Sequence, residues 1–363
     1  MIKMTCDLLT DLPCELTCTI LVTWLSWKHV ASVDSAYCCK AKRKFLLATL
    51  ANPTFVMPGI DYYNDQLLEW IKDRSVRVEK LVVRSDGEAF VAKYRKEFGP
   101  HLKVLRLGTV STRYENHIKA AQCKRTITCC INLQKLTLFT QSTSDEVLDA
   151  ISNLTSLKYL HTDGACISRP QARSQRTKHT RLLHLHTLDL YNSEEGGNRH
   201  TELLQMTHLH GLKRLRLRWE HFDNTPETSV HTLKQSQLIN LEALCLHTRS
   251  KAFNDCDVIS LLKSCRNLQY LDLNCKHIGI ACVPYITALP CLKTVCLHNQ
   301  PYTGEIMQQL LVHHRDTLEA LYIEDQASVN SLNIDQFTSL LRNCPNLTTL
   351  CIMYANDFIF DNV

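Results

Sequence analysis

From Leu268 to Leu273 the chain reads LQYLDL: a leucine, two other residues, a second leucine, one more residue and a third leucine. Leu271 and Leu273 are two apart, so in an extended strand both point to one side and Asp272 between them points to the other. The same spacing recurs along the chain. LKVLRL begins at Leu102, LQKLTL at Leu133, LHTLDL at Leu185, LKRLRL at Leu212 and LEALCL at Leu241, with looser copies from Val78, Leu157, Leu292, Leu318 and Leu347. The copy at Leu157, LKYLHT, puts Thr162 in the third apolar slot. The pattern covers the 269 residues from Val78 to Leu347 in steps of 24 to 31 residues.

One short strand per step, with a return segment to the start of the next, is the period of a leucine-rich repeat. Several return segments carry apolar residues at helical spacing: Val147, Leu148, Ile151 and Leu154; Val283, Ile286 and Leu289; Ile306, Leu310 and Leu311; Phe337, Leu340 and Leu341. The expected fold is an α/β leucine-rich-repeat solenoid of about eleven repeats over residues 58–363. It would form a horseshoe with parallel strands on the concave face and mostly helices on the convex one. Cysteine stands three residues before the first leucine in CINLQKL at Cys130, CRNLQYL at Cys265 and CPNLTTL at Cys344, which resembles the cysteine-containing class of these repeats. That class prefers Asn or Cys eight residues after the first leucine, and Cys275 and Asn192 fall one residue early. After the last strand, Phe358, Ile359 and Phe360 are expected to cover the edge.

At 363 residues and 45% hydrophobic content the chain can bury a sizeable core. Its 41 basic and 36 acidic residues are too balanced to call for a nucleic-acid partner. The longest uncharged apolar run, Leu16 to Trp27, is short of the roughly 20 residues that cross a bilayer. Asp7, Asp11 and Glu15 interrupt the region where a secretory signal would need an apolar core. The reading is no membrane partner and a cytoplasmic or nuclear location. The 18 cysteines include no CxxC pair, so they are expected to be small buried hydrophobes, with neither a metal site nor a cofactor. His184, His186, His208 and His210 are not completed by a carboxylate or cysteine at ligand spacing. No GxxxxGK, GxSxG, HExxH or GxGxxG is present, and an enzyme is not expected.

Residues 1–57 do not fit the repeat. They read as amphipathic helices through Leu12, Pro13, Leu16, Ile20, Leu21, Trp24, Leu25, Val30, Val33 and Ala36, with Pro13 where a first helical turn tolerates proline. DLPCELTCTILVTWLSWKHVASVDSAYCCKAKRKF resembles an F-box: an LPxE opening, paired apolar residues, a short break, a second helix and a cysteine/basic/aromatic ending. It departs from that pattern at Asp34, where the family more often has an apolar residue. An F-box followed by leucine-rich repeats is similar to the substrate-receptor subunits of Skp/cullin/RING ubiquitin ligases. The resemblance implies that Leu12, Pro13, Glu15, Leu16, Ile20, Leu21 and Leu25 dock on a Skp-type adaptor that brings the cullin. The concave face would then hold the protein to be ubiquitinated. The competing reading is a scaffold or inhibitor whose N-terminal helices only cap the stack. The segment Gln66 to Asp73 is expected to be the first repeat's helix, joining the two modules rigidly.

Residues four and six after each first leucine share the outward face: His161 and Asp163, Asp189 and Tyr191, Arg216 and Arg218, Cys245 and His247, Asp272 and Asn274. Tyrosine and arginine are frequent interface anchors. Tyr159, His161, Asp189, Tyr191, Arg216, Arg218, Tyr270 and Asp272 are therefore the expected contacts with a protein partner. From Arg169 to Arg181 a basic run without acidic residues reads as a loop suited to an acidic or phosphorylated partner.

Overall fold

The computed structural model describes residues 12–24, 27–36, 40–52, 56–57, 60–61, 65–83, 99–108, 120–139, 145–163, 182–192, 209–219, 233, 238–248, 253–275, 279–300, 304–325, 338–339 and 341–354. The basic run at 169–181, Phe337, Leu340 and the C-terminal Phe358, Ile359 and Phe360 lie outside them. By internal packing the chain divides into two compact units, residues 1–140 with 145–157, and residues 141–144 with 158–363.

The first unit opens with three helices, α1 (Cys14–Trp24), α2 (Trp27–Ala36) and α3 (Lys40–Leu50). The Pro13 carbonyl accepts both the backbone N–H and the hydroxyl of Thr17 at 3.0 and 3.2 Å, so Pro13 stands just before the first turn, where its missing N–H costs nothing. Cys18 and Leu21 on α1 and Leu46 and Leu50 on α3 are buried, and the Cys18 thiol lies 3.8 Å from the carbonyl of Thr49. Two short parallel strands, β1 (Val56–Met57) and β2 (Ile60–Asp61), precede helix α4 (Asp65–Asp73).

Asp34, the departure from the F-box pattern, is buried on α2 and accounts for its own presence. Its Oδ2 accepts the Trp70 indole N–H at 2.8 Å and the Arg74 guanidinium at 3.1 Å, and Arg43 approaches Oδ1 at 3.8 Å. A buried carboxylate is tolerable only when paired and hydrogen-bonded, and here its partners come from α3 and from α4 and the turn after it. This contact ties the N-terminal helices to the first repeat.

The same unit continues with β3 (Arg77–Val78), which pairs with β1, then β4 (Lys80–Val83), β5 (Val104–Leu107), helix α5 (Ala120–Cys129), β6 (Lys135–Phe139) and helix α6 (Asp145–Ser152). Strands β2, β4, β5 and β6 are parallel neighbours in that order. Gly108 closes β5 at φ +89°, and a Cβ there would collide with the carbonyl of Phe139 on the next strand.

The second unit stacks β7 (Tyr159–Asp163), β8 (Thr187–Asn192), β9 (Arg214–Trp219), β10 (Ala243–Thr248), β11 (Tyr270–Cys275), β12 (Thr294–Gln300), β13 (Ala320–Asp325) and β14 (Thr349–Tyr354), each parallel to the next. Helices α7 (Asp255–Ser264), α8 (Val283–Thr287) and α9 (Gly304–His313) return the chain. The expected register holds: Leu188/Leu190, Leu215/Leu217, Leu244/Leu246 and Leu271/Leu273 are buried, and they stand opposite one another across the ladder. Thr162 fills the leucine slot and is also buried.

Three devices repeat with the strands. Two consecutive N–H groups at the start of β5, β6 and β8 to β14 share one carbonyl of the preceding repeat, as Gln269 and Tyr270 share that of Glu242 at 2.8 and 3.0 Å, and Lys293 and Thr294 that of Gln269. An asparagine just before the first leucine donates its amide back one repeat: Asn132 to Pro100 at 2.8 Å, Asn240 to His210 at 2.7 Å, Asn267 to Ile239 at 2.9 Å and Asn346 to Asp316 at 2.7 Å. Buried thiols also donate to main-chain carbonyls, Cys130 to Thr126 at 3.2 Å and Cys275 to Leu246 at 3.2 Å. Burial pushes the Cys130 thiol up to about 12 and that of Cys265 to about 11, so both stay protonated. Cys275 thus satisfies a strand carbonyl instead of a loop, and this explains its early position.

Helix α7 begins on a capping box, with Asn254 accepting from Cys256 N–H at 2.9 Å and Asp257 accepting from Asn254 N–H at 2.9 Å. Phe253 beside it is fully buried, edge-on to Trp219 at 6.3 Å. His314, after α9, is also buried, with Nε2 3.1 Å from the carbonyl of Ile286. Burial lowers its pKa against the smaller opposing effect of that hydrogen bond, so the neutral ring donates.

Two outcomes are expected. Asp34→Ala strands the Trp70 and Arg74 donors and lowers unfolding free energy by on the order of 3 kcal/mol in urea titration. Because the folded pKa of His314 lies below the unfolded value of about 6.5, the unfolded chain binds more protons as pH drops through that value, and stability falls. The unfolding midpoint should drop more between pH 7.5 and 5.5 in the wild type than in His314→Gln, which keeps a donor but cannot titrate.

Candidate functional site

The face of the second unit opposite the buried leucines carries three rows of side chains. Ladder pairing puts Tyr159, Thr187, Arg214, Ala243 and Tyr270 in one row, His161, Asp189, Arg216, Cys245, Asp272 and Cys296 in the next, and Asp163, Tyr191, Arg218, His247, Asn274 and His298 in the third. All eight expected partner-contact residues stand on this face. Tyr159, His161, Tyr191, Arg216, Arg218 and Tyr270 are half-buried, whereas Asp189 and Asp272 are covered to 8% and 6% exposure. The two aspartates therefore hold their neighbours in place, and the surface offered to a partner is made by the aromatic and basic groups around them.

Asp189 lies 3.0 Å from His161 Nδ1 and 3.8 Å from the Arg216 guanidinium. Asp272 is the hub. Its Oδ1 meets His247 Nε2 at 2.8 Å and His298 Nε2 at 3.5 Å, and its Oδ2 accepts the Cys245 thiol at 3.2 Å and the Tyr270 hydroxyl at 3.4 Å. His298 in turn places Nδ1 3.0 Å from Glu324, and its ring stands edge-on to that of His247 at 6.0 Å. The Cys296 thiol reaches Tyr270 at 3.9 Å.

The electrostatics follow from this packing. Burial by itself would raise the Asp272 carboxyl, but the His247 hydrogen bond and charge, the Cys245 hydrogen bond and the His298 charge hold it below its ordinary value. Burial and the adjacent Asp272 push the Cys245 thiol up to about 12, outweighing Arg216 and Arg218. Burial, then the charges of Asp272 and Cys296, also raises Tyr270. For Arg216, burial is outweighed by Cys245 and Asp189, and the guanidinium stays firmly charged. Between these groups lies a cavity of about 420 Å³ lined by Tyr159, Asp189, Arg214, Arg216, Cys245 and Tyr270. Its lining combines two tyrosines with two arginines and two carboxylates, Asp189 and Glu242, an arrangement suited to a polar side chain of a protein.

Sequence reasoning placed Cys245 and His247 outward but did not select them, and it did not identify Cys296, His298 or Glu324. The legible signal is the Cys-x-His spacing in LCLHT, which puts both side chains on one strand face with Asp272 opposite Cys245 on the next strand. His184, His186 and His210 are exposed.

Of the residues expected to dock on an adaptor, Pro13 is exposed, Leu16 is 46% exposed, Leu12 and Ile20 are half-buried, and Leu21 is buried in the core of the first unit and so not available on the surface. The side chains of Glu15 and Leu25 lie outside the described residues. No helix among the described residues is long and apolar enough to cross a membrane.

No known family profile matches the chain, and no curated protein matches it. Solved structures are similar in fold. A chain of the Rad7 and Elc1 complex in yeast is 15% identical, with 96% of this chain and 90% of that chain covered and a TM-score of 0.55. An internalin from Listeria monocytogenes is 14% identical over 91% of this chain and 89% of that one, with a TM-score of 0.46. A chain of the Toll–Spatzle complex of Drosophila is 15% identical over 85% of this chain and 38% of that one, with a TM-score of 0.45. The fold is a leucine-rich-repeat solenoid. The rest of the likeness at these identities is a matter of fold alone.

Removing the hub carboxylate tests the network. Asp272→Ala strips its donors of their acceptor and should cost about 2–4 kcal/mol at pH 7 in urea titration. The folded pKa is depressed, so this stability is present above the unfolded value of about 3.9 and is lost as pH falls through the lower folded one. The gap between variant and wild type should hold at pH 5 and narrow below the unfolded value.

Proposed function

We propose that the chain is the substrate-recognition subunit of an SCF-type ubiquitin ligase, non-catalytic itself. The N-terminal helices dock on a Skp-type adaptor, which brings the cullin, and the outward strand face of the second unit holds the protein to be ubiquitinated. The observation that carries the reading is the LPxE-led helix α1, which leaves Pro13 exposed just before its first turn and Leu16 exposed within it while Leu21, further along, is buried. An apolar side chain kept at a helix start beside an exposed proline suits a partner's groove. The likeness in fold to a chain crystallised in the Rad7 and Elc1 complex agrees with a repeat protein that works through protein contacts. Tyr159, Tyr191, Arg216, Arg218 and Tyr270 supply anchors of the type that dominate such contacts. The site of action is the cytoplasm or nucleus, where cysteines that act as hydrogen-bond donors remain thiols.

Cutting the chain near Ile60 would also remove Asp34 from Trp70 and Arg74, so a point substitution is the cleaner test. The full chain should co-purify with a Skp-type adaptor and cullin, and Leu16→Glu should lose at least about tenfold in adaptor affinity with unchanged circular dichroism. No capture by the wild type would leave a helically capped scaffold instead. Joint alanine substitution of Tyr191, Arg216 and Arg218 should abolish capture of the ubiquitinated protein and leave adaptor binding intact. The lost contacts should also be those weakened by salt.

A further inference from the structure

We propose that Cys245, His247, Asp272 and His298 form a binding site for a zinc-class divalent cation on the outward face of the second unit, with Glu324 orienting His298. The proposal is independent of the ubiquitin-ligase reading.

The geometry comes first. One donor atom each from Cys245, His247 and Asp272 lies within 4.8 Å of the others. His298 brings Nε2 to 3.5 Å from Asp272 Oδ1. Bond lengths of about 2.0–2.3 Å to N, O and S in a tetrahedral zinc site set donor-to-donor separations of about 3.3–3.8 Å. The spacings among Cys245, His247 and Asp272 bracket that range, and His298, already beside Asp272, is the fourth donor that a side-chain rotation would bring to the ion. The four residues sit on β10, β11 and β12, neighbouring strands held in register by their backbone ladder, with His247, Asn274 and His298 opposite one another.

The chemistry fits the geometry. One thiolate, two imidazoles and one carboxylate are zinc ligands of ordinary type, and the thiol makes magnesium or calcium a poor match. His298 holds its other ring nitrogen 3.0 Å from Glu324, the carboxylate–histidine pairing that fixes tautomer and orientation at metal sites. Binding exchanges the Cys245 proton, now donated to Asp272, for the metal, and the proton leaves to solvent. The thiolate and carboxylate then cancel the ion's two positive charges. The Arg216 charge, itself paired with Asp189, favours the ionised form of Cys245 and so supports the thiolate. Four protein donors make a closed set, the pattern of a site that stiffens structure. It would clamp the three strands that carry Tyr270 and its neighbours.

Cobalt(II) titration of the reduced full chain provides the readout. The wild type should bind one equivalent saturably, with thiolate-to-cobalt charge transfer in the near ultraviolet and the intense visible bands of a tetrahedral ion, and zinc should displace it. Cys245→Ser should abolish the charge-transfer band, whereas Cys256→Ser and Cys291→Ser, at exposed thiols, should retain it. Glu324→Gln, which leaves all four ligands in place, should weaken cobalt binding by about 10- to 100-fold. Zinc should raise the unfolding midpoint of the wild type and not that of Cys245→Ser. A wild type without a saturable tetrahedral spectrum overturns the proposal, as does a spectrum that survives Cys245→Ser. Should Cys245→Ser fail to fold, His298→Ala decides: an unchanged cobalt affinity there also overturns it.

Discussion

Each strand of the stack is too short to stand alone, and the constraint beneath everything else is how its first N–H groups find an acceptor. Pairs of them share one carbonyl of the repeat before, as at Glu242 and Gln269, which sets each strand at a fixed offset from its neighbour. Once that offset is set, side-chain alternation does the rest. Leucines two apart fall in continuous buried rows, and the residue between them falls in a row on the other side. The asparagines before Leu133, Leu241, Leu268 and Leu347 repeat the offset with a side-chain amide. Buried cysteines at Cys130 and Cys275 add thiol hydrogen bonds to main-chain carbonyls, which a leucine there would not supply.

The same offset builds the outward face. Rows that would otherwise be ordinary solvated positions bring Asp189 beneath His161 and Arg216, and Asp272 beneath Cys245, His247, Tyr270 and His298. Two buried carboxylates with converging donors fix the rings and guanidinium groups around a cavity. Fixed side chains lose less conformational entropy on association than free ones, so under the proposed function the network would lower the cost of binding at this face. A metal at the Asp272 hub would extend the same preorganisation across three strands.

In the first unit a single carboxylate has the corresponding role. Asp34 breaks the apolar habit of its helix, and Trp70 and Arg74 from the first repeat complete it. The contact means that the N-terminal helices and the first repeat are not separable pieces. The exposed start of α1 is therefore presented from a supported base, with Leu21 and Cys18 anchoring it from within.

The sequence by itself determined the repeat, its register and the face on which each residue stands, because leucine spacing translates directly into strand alternation. LQYLDL alone places Leu271 and Leu273 inward and Asp272 outward, and the structure agrees. The outward candidates from Tyr159 to Asp272 were legible for the same reason. Tertiary structure decided what those residues do to one another. That His298 reaches Asp272, 26 positions away in the chain, and that Glu324 in turn reaches His298 depend on loop lengths, which have no periodic signature. The meaning of Asp34 was hidden likewise, since its partners Trp70 and Arg74 are 36 and 40 residues distant. Local spacing reports local geometry, and the chemistry of a site depends on contacts between repeats, which appear only when the chain is stacked.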